Sequence, residues 1–251
     1  MNFKIELPRN TDHPDLNEEY VEVTFEDGKK ENIFLHDYKR IFQTKGLYEE
    51  IFLKTLQCDS NNFVCKKLLD VIHLTNLKPS DCKVLEIGAG NGVTSQTFQE
   101  NGFNHIVGID ILKESREAAM RDRKEIFEHY FIEDFSNVLP PNARVLLAQK
   151  FDILLIVGAI GMGHLNSHSI KTAFNLIHDG GIIVFNIYSN LLKQIPPTEF
   201  DDMLVKFISH SDLLLTQEYI HRKSVDGSDV KYTLFILRKK EPLLFELPTK
   251  L

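Results

Sequence analysis

The chain has 251 residues, 43% of them hydrophobic, and its 36 acidic residues outnumber its 29 basic residues, so the formal net charge is −7. This length and composition allow one sizeable hydrophobic core, and the negative balance disfavours unspecific binding to nucleic acid. The sequence contains neither an apolar run long enough to span a membrane nor a secretory signal, so we expect a soluble, cytoplasmic protein that makes no membrane contact.

The first elements predict a small β-hairpin. Residues 20–25 alternate between apolar and polar types, residues 26–30 have turn chemistry, and residues 32–36 are again compatible with a strand. The pattern favours an N-terminal extension over residues 1–40, followed by one main domain over residues 41–251.

Two helices are predicted next, over residues 38–56 and 61–76. Ser60 is the expected N-cap of the second helix, and Lys78-Pro79 is expected to end it. The three cysteines are odd in number and lack Cys-x-x-Cys spacing, which favours reduced thiols at Cys58, Cys65 and Cys82.

A glycine-rich turn follows the first strand of the main domain. Residues 84–92 read Val-Leu-Glu-Ile-Gly-Ala-Gly-Asn-Gly, which is a buried parallel strand running into a turn and then a helix. Gly88, Gly90 and Gly92 allow the backbone to approach a ligand that any Cβ would block, and the helix N-terminus faces the same space. The segment therefore predicts a loop that holds a nucleotide-type cofactor.

A second strand, at residues 106–109, ends in Asp110, whose carboxylate can accept hydrogen bonds from ribose hydroxyls. Both dinucleotides and S-adenosylmethionine are held by such an arrangement. A dinucleotide loop needs its third glycine at the position of Val93, whereas here it is Gly92. Glu86, just before the loop, suits a cationic ligand better than a pyrophosphate, so the details favour S-adenosylmethionine.

Glu86 followed by Gly-Ala-Gly-Asn-Gly resembles motif I of the class I S-adenosylmethionine-dependent methyltransferases. The resemblance implies S-adenosylmethionine as cofactor. It also implies cofactor contacts along the loop and at the end of the second strand, from Glu86, Gly88, Ala89, Gly90, Gly92, Asp110 and Ile111.

A helix over residues 113–127 and a short strand over residues 129–132 lead to two further acids. The resemblance places Asp134 at the adenine amino group, with Phe135 beside the adenine ring. The alternative interpretation of Glu133 and Asp134 is a helix cap or a solvated turn.

The remaining strands complete the family's sheet. A fourth strand at residues 151–157 is apolar throughout almost its whole length, which predicts burial on both faces. Its end contributes Val157 and Gly158 to the cofactor site by the same resemblance. A fifth strand is predicted at residues 181–187 after a glycine turn, and an antiparallel hairpin at residues 213–222 and 231–238.

The predicted fold class is therefore α/β and Rossmann-like. It has the seven-stranded, mostly parallel sheet of class I methyltransferases, in the order 3-2-1-4-5-7-6, which ends in an antiparallel hairpin. An N-terminal β-hairpin and helices that cover the cofactor complete the expected architecture.

Several residues are candidates for chemistry in the acceptor region. By analogy with the family, Tyr38, Phe42 and Tyr48 form an aromatic lid, although plain core packing is the alternative for each. His164 follows the fourth strand, where it could orient or deprotonate the acceptor; a cap or a supporting hydrogen bond is the alternative. His164 and His168 have a metal-compatible spacing without an evident third ligand, so we expect no metal.

A cluster of basic residues on the helix after Asp110 is the one candidate for a nucleic-acid surface. Its members alternate with acidic residues, which favours a solvated face; they are Arg116, Arg121, Arg123 and Lys124.

The leading hypothesis is a methyltransferase acting on a small molecule. The Asn/Asp-Pro-Pro-Tyr/Phe motif of adenine and amide methylation is absent after the fourth strand, and residues 151–159 are similar to the methyltransferase-like proteins of the Williams-Beuren region. The chain departs from many of those relatives at Ala89, where they carry Cys. The alternatives are protein methylation and a non-catalytic partner that binds the cofactor.

Overall fold

The computed structural model describes residues 3–8, 15–134, 148, 150–160, 167–193 and 199–242. Within these ranges the chain forms a three-stranded antiparallel sheet and a mixed seven-stranded sheet. The strands of the small sheet are β1 Phe3–Glu6, β2 Tyr20–Phe25 and β3 Lys30–Phe34. The large sheet contains β4 Lys83–Ile87, β5 His105–Asp110, β6 His129–Ile132, β7 Phe151–Ile160, β8 Ile177–Tyr188, β9 Ser211–Lys223 and β10 Asp229–Lys239.

The described residues form six α-helices, which are α1 Tyr38–Gln43, α2 Ser60–Ile72, α3 Val93–Glu100, α4 Lys113–Asp122, α5 Ser167–Asn175 and α6 Glu199–Ser209. A π-helix covers Glu49–Thr55. Two short 3₁₀ turns cover Pro79–Asp81 and Leu191–Lys193. In the part of the chain that the structure describes, we find no helix with the length and apolar character needed to cross a membrane.

The large sheet has the strand order β6-β5-β4-β7-β8-β10-β9. Strands β4 to β8 pair in parallel, and β10 runs antiparallel to both β8 and β9. This arrangement confirms the predicted α/β fold, the order 3-2-1-4-5-7-6 and the antiparallel C-terminal hairpin.

Alternate residues of the central strands enter two different cores, one on each face of the sheet. Leu154 and Ile156 of β7 pack with residues of α5 and α6, whereas Ile153 and Leu155 pack with residues of α2 and α3. Because helices cover both faces, the strand is apolar at successive positions, as expected for a buried parallel strand.

The N-terminal region differs from the prediction in three respects. The predicted hairpin has a third strand, β1, and the single predicted helix over residues 38–56 is wrong. Gly46 takes a left-handed conformation with φ of +76°, which separates α1 from the π-helix. The predicted N-cap Ser60 is also wrong, since Asp59 occupies that position and the Ser60 side chain is buried.

Smaller differences concern element ends. Helix α2 ends at Ile72, before the predicted stop at Lys78-Pro79, and Pro79 instead opens a 3₁₀ turn. Strand β8 begins at Ile177 and includes the predicted glycine turn, because a register irregularity against β7 accommodates Gly180 at a φ of +89°. All three cysteines are free thiols.

Candidate active site

A cavity of about 580 Å³ lies at the carboxyl ends of β4, β5 and β7, which is where ligands bind in open α/β sheets. Its walls also include residues of α1, the π-helix and the β9–β10 hairpin. The cavity brings together most of the predicted site residues: Tyr38, Phe42, Tyr48, Gly88, Ala89, Gly90, Asp110, Ile111, Asp134, Val157 and Gly158. The candidates Phe135 and His164 lie outside the described residues.

The glycine loop requires glycine for steric reasons. Gly88 has a φ of +72°, and a Cβ built there would lie 2.6 Å from Cβ of Ala159 on β7. Gly90 has a φ of +53°, and a Cβ there would meet the Phe42 ring at 3.3 Å. The loop backbone therefore approaches β7 on one side and the aromatic residues of α1 on the other.

Hydrogen bonds fix the loop onto the end of β5. The amides of Gly88 and Ala89 donate to the Ile109 carbonyl at 2.8 and 3.0 Å. The Gly90 amide donates to Oδ2 of Asp110 at 2.9 Å, and the Tyr130 hydroxyl donates to the Gly90 carbonyl at 2.7 Å. The loop is thus held in its ligand-facing shape by the strand that carries the predicted ribose-binding acid.

Asp110 retains capacity to bind a ligand. Its Oδ1 accepts the Leu112 amide at 2.9 Å, and its Oδ2 accepts the Gly90 amide, so both carboxylate oxygens are oriented by backbone donors. Burial raises the pKa of Asp110, while the hydrogen bonds from the Leu112 and Gly90 amides act in the opposite direction. The carboxylate lines the cavity, where two ribose hydroxyls could reach it.

Glu86 and Gly92 lie behind the cavity wall. Glu86 is only 1% exposed and accepts a hydrogen bond from the Ser95 hydroxyl on α3. Burial raises its pKa to about 8. A Cβ on Gly92 would lie 2.9 Å from the Phe127 ring. Both residues therefore support the loop from beneath, and any effect on a cofactor would pass through the loop.

The predicted adenine end lies beyond β5 and β6. The Ile111 side chain is 57% exposed and lines the cavity, so it offers an apolar surface to a planar ring. Glu133 and Asp134 lie on the same wall, and the Glu133 amide donates to the Asp110 carbonyl at 3.0 Å.

Four stacked rings cover the cavity and form what we call the aromatic lid, Tyr38, Phe42, Tyr48 and Phe52. Neighbouring ring centroids lie 4.7 to 6.0 Å apart, within the range of favourable aromatic packing. All four rings line the cavity. The three predicted lid residues therefore pack with one another while facing the site.

Arg123 connects the lid to the glycine loop. Its guanidinium donates to Glu49 Oε1 on the π-helix at 2.6 Å and to the Asn91 carbonyl at 3.2 Å. Arg121 donates to the Phe42 carbonyl on α1 at 3.1 Å. The interpretation of the basic cluster as a uniformly solvated face is therefore wrong for these two arginines, which hold separate elements together.

The cavity also contains residues that the sequence did not point to, and we call this region the acceptor chamber. It consists of Leu35, Cys58, Ser60, His221, Arg222 and Tyr232. Ser60 and His221 are in direct contact, and His221 stacks on Tyr232 with ring centroids 4.0 Å apart. These residues come from three distant parts of the chain and lack a shared spacing, so no local motif could have revealed them.

The strand order, the glycine loop after the first parallel strand and the acid after the second define a class I methyltransferase fold. Residues 59–219 match the family described as "Methyltransferase domain", and the chain belongs to this family. It is an S-adenosylmethionine-dependent methyltransferase.

Solved structures share the fold at low sequence identity. The N-methyltransferase NodS from Bradyrhizobium japonicum, in complex with S-adenosyl-L-homocysteine, has a TM-score of 0.56 at 14% identity, over 81% of this chain and 97% of that chain. Magnesium protoporphyrin IX methyltransferase from Synechocystis, with bound S-adenosylmethionine, has a TM-score of 0.53 at 13% identity, over 81% and 90%. A putative RNA methyltransferase from Pyrococcus horikoshii has a TM-score of 0.50 at 16% identity, over 72% and 85%. No curated protein matches the chain.

Proposed function

We propose that the enzyme transfers the methyl group of S-adenosylmethionine to a small molecule bound in the acceptor chamber. The observation that carries this proposal is the continuity of the cavity. The same cavity is lined by Gly88 of the glycine loop and by His221 and Tyr232 of the acceptor chamber, beneath the aromatic lid. A peptide acceptor would need an open groove, and a catalytically silent protein would be expected to fill the chamber with its own side chains.

The residues present suit the cofactor. The loop offers glycine backbone where a Cβ would collide, the Asp110 carboxylate lines the cavity as an acceptor for a ribose, and Ile111 offers an apolar surface for adenine. When bound, S-adenosylmethionine supplies an electrophilic methyl group, so the protein's task is to align an acceptor lone pair and exclude water. The aromatic lid supports both tasks. Its apolar rings exclude water, and their faces attract a sulfonium cation, which helps to orient the methyl group.

Related assignments remain proposals. We assign cofactor contacts to Gly88, Ala89, Gly90, Asp110 and Asp134, with Glu86 acting through the loop. An orienting role for His164 and a closer relationship to the Williams-Beuren proteins remain hypotheses. Protein methylation is the second candidate function, and the net charge of −7 still weighs against an RNA acceptor.

The cofactor site is tested by Asp110→Asn. Loss of the carboxylate should weaken S-adenosylmethionine binding by roughly ten- to hundredfold, because hydrogen bonds to a charged group are stronger than neutral ones. Isothermal titration calorimetry measures this affinity, with Asp81→Asn in the remote 3₁₀ turn as the matched control. Equal affinity in the two variants would contradict the assignment of Asp110 to the ribose.

The acceptor class is tested with S-adenosylmethionine carrying a labelled methyl group. The enzyme is incubated with a cell extract separated by size into small-molecule and protein fractions. Label transferred to the small-molecule fraction supports the proposal. Label that appears in protein alone supports the second candidate, and no transfer despite tight cofactor binding supports a non-catalytic role.

A further inference from the structure

A buried chain of hydrogen bonds links the end of β7 to the acceptor chamber. The Gly158 amide donates to Oδ1 of Asn186 at 2.7 Å, and the Asn186 amide group donates to the Tyr219 hydroxyl at 2.7 Å. The Tyr219 and Ser60 hydroxyl oxygens are 2.7 Å apart, and the Ser60 oxygen lies 2.5 Å from Nδ1 of His221. Five residues from four separate elements thus form one continuous chain.

The Gly158 amide determines the orientation of the Asn186 side chain, and that orientation determines the direction of the Tyr219 proton. A backbone amide can only donate, so Asn186 turns its oxygen to Gly158 and its NH₂ group to Tyr219. The Tyr219 oxygen therefore accepts from Asn186. Among the described residues, Ser60 is the one remaining partner for the Tyr219 proton.

Ser60 accepts that proton and retains its own hydroxyl proton to donate, and we assign this proton to Nδ1 of His221, which lies 2.5 Å away and is a stronger acceptor than a cysteine sulfur. The Cys58 sulfur lies 3.8 Å from the same nitrogen, a longer contact to a weaker hydrogen-bonding group. With Nδ1 acting as the acceptor, the proton of a neutral His221 ring must be on Nε2. Burial, followed by the positive charge of Arg222, lowers the pKa of His221 to about 3, which keeps the ring neutral.

The backbone at His221 also has an unusual geometry. Val230 of β10 pairs with Arg222, and the next residue, Lys231, pairs with Ile220, so His221 is the extra residue of a β-bulge. A bulge redirects a side chain away from its regular position in a strand, and bulges are common beside active sites. Here the redirected ring lines the cavity, and no residue of the described ranges forms a hydrogen bond with its Nε2.

We propose that His221 positions the methyl acceptor by donating a hydrogen bond from Nε2 to an oxygen of an aromatic substrate. This inference rests on the proposed small-molecule function. In this tautomer Nε2 already carries a proton and has no lone pair with which to take another, so His221 acts at that nitrogen as a hydrogen-bond donor and not as the general base.

The chamber indicates the class of acceptor. Leu35 and Tyr232 supply apolar and aromatic walls, and Phe52 of the aromatic lid faces the same space. The Arg222 guanidinium is paired with buried Glu19, so its charge is already compensated. A hydrogen bond donated to the reacting atom would weaken its lone pair. The acceptor should therefore be an uncharged aromatic molecule that carries a carbonyl or hydroxyl oxygen in addition to the atom that is methylated.

The proton assignment is tested by nitrogen NMR of the full chain with labelled histidine, in which the His221 signal is identified by its loss in His221→Gln. We expect a neutral ring with the proton on Nε2 throughout the range from about pH 5 to about pH 8, where an ordinary histidine titrates. Ser60→Ala should give a mixture of tautomers. A proton on Nδ1, or titration of the ring in this range, would overturn the proposal.

The positioning role is tested with labelled S-adenosylmethionine and the small-molecule fraction of the extract. His221→Gln keeps an N–H donor near the position of Nε2, whereas His221→Phe removes it. We expect a roughly ten- to hundredfold higher apparent KM for the acceptor in the Phe variant, a smaller rise in the Gln variant, and unchanged cofactor affinity in both. If the Phe variant fails to fold, Tyr219→Phe removes one hydroxyl of the chain with little change in shape and should also raise KM.

The outcomes separate the two proposals. A wild-type protein that fails to bind S-adenosylmethionine would refute the cofactor site itself. Normal binding and methyl transfer, with equal acceptor KM in wild type and His221→Phe, would refute only the role of His221. Transfer of label to protein alone would refute the aromatic small molecule.

Discussion

At the scale of single residues, the glycine loop is defined by contact as well as by backbone conformation. Gly88 and Gly227 both have positive φ, but a Cβ on Gly88 would lie 2.6 Å from Ala159, whereas a Cβ on Gly227 would have no atom within 4 Å. An alanine at Gly227 would therefore cause backbone strain only, whereas an alanine at Gly88 would cause both backbone strain and a steric collision.

We expect Gly227→Ala to reduce the free energy of unfolding by about 1 kcal/mol, through strain alone. Gly88→Ala should cost clearly more, because strain and collision add, and it should also weaken cofactor binding. The double variant Gly88→Ala/Ala159→Gly removes the colliding atom and should return to the stability of Gly227→Ala. Chemical denaturation measures all three, and equal losses at Gly88 and Gly227 would contradict the contact.

Buried Glu86 makes the stability of the enzyme depend on pH. Its pKa is about 8 in the folded protein and has its ordinary value of 4.5 when the chain is unfolded. Between these values the folded state holds the additional proton, so stability decreases as the pH rises through this window. The Glu86→Gln variant cannot ionise at this position, so its stability does not decrease for this reason as the pH rises.

The thermal midpoint of Glu86→Gln minus that of wild type should therefore increase as the pH is raised from about 5 to about 9. Most of this increase should occur below the folded pKa of about 8. Differential scanning calorimetry of both proteins in matched buffers provides the comparison, and all other titrating groups cancel in the difference. A constant difference in midpoint would show that Glu86 is ionised throughout.

At the scale of elements, the attachment of the π-helix to the glycine loop depends on Arg123. The Arg123 side chain is 11% exposed and bonds to Glu49 Oε1 and the Asn91 carbonyl. Its removal leaves the partly buried Glu49 carboxylate without its cationic partner.

We expect Arg123→Ala to increase amide hydrogen exchange in the π-helix, Glu49–Thr55, and to weaken S-adenosylmethionine binding several-fold. Exposed Arg116 in α4, the helix that Arg123 follows, provides the control, since Arg116→Ala removes the same charge without touching the lid. Similar exchange in both variants would mean that the lid is held by its ring stacking alone.

The large sheet could be predicted because its signals are local. Apolar runs such as β7 identify parallel strands, and residues such as Gly88 and Asp110 mark where a strand ends and a loop begins. The division of residues 38–56 was missed because Gly46 lies in a segment whose apolar spacing is helical on both sides. The role of Ser60 was missed because its partners, Tyr219 and His221, are about 160 residues away.

His221 shows the limit of pattern-based prediction most clearly. Its position in the cavity depends on a one-residue shift in the pairing of β9 with β10. In a regular ladder its neighbour would occupy that place, and nothing in the hairpin sequence indicates where the shift falls.

At the scale of the whole molecule, the N-terminal region and the C-terminal hairpin are joined by a buried ion pair. Glu19, before β2, binds the Arg222 guanidinium and accepts hydrogen bonds from the Ser224 hydroxyl and the Val225 amide. One apolar cluster also contains Val21, Ile51 and Val225. The division into residues 1–40 and 41–251 stays a prediction, and this shared core shows how closely the two segments pack.

We expect Glu19→Gln to lower the free energy of unfolding by about 3 to 5 kcal/mol, because it leaves Arg222 buried without a counter-charge. The control is Asp229→Asn, which breaks the partly exposed pair with Lys223 on the same hairpin and should cost no more than about 1 kcal/mol. Urea denaturation followed by far-ultraviolet circular dichroism compares the two. Equal losses would mean that water reaches the Glu19–Arg222 pair.

The extent of the family match divides the cavity lining into residues inside the matched region and residues outside it. Residues 59–219 include Gly88, Asp110 and Gly158, but they stop two residues before His221 and begin after all four rings of the lid. The glycine loop and Asp110 thus lie within the shared module, while the flanks supply the lid and, together with Ser60 of the module, the proposed acceptor chamber. Substrate preference can consequently diverge by changes in the flanks alone, and grafting the flanks of this chain onto another member of the family is a route to moving its selectivity.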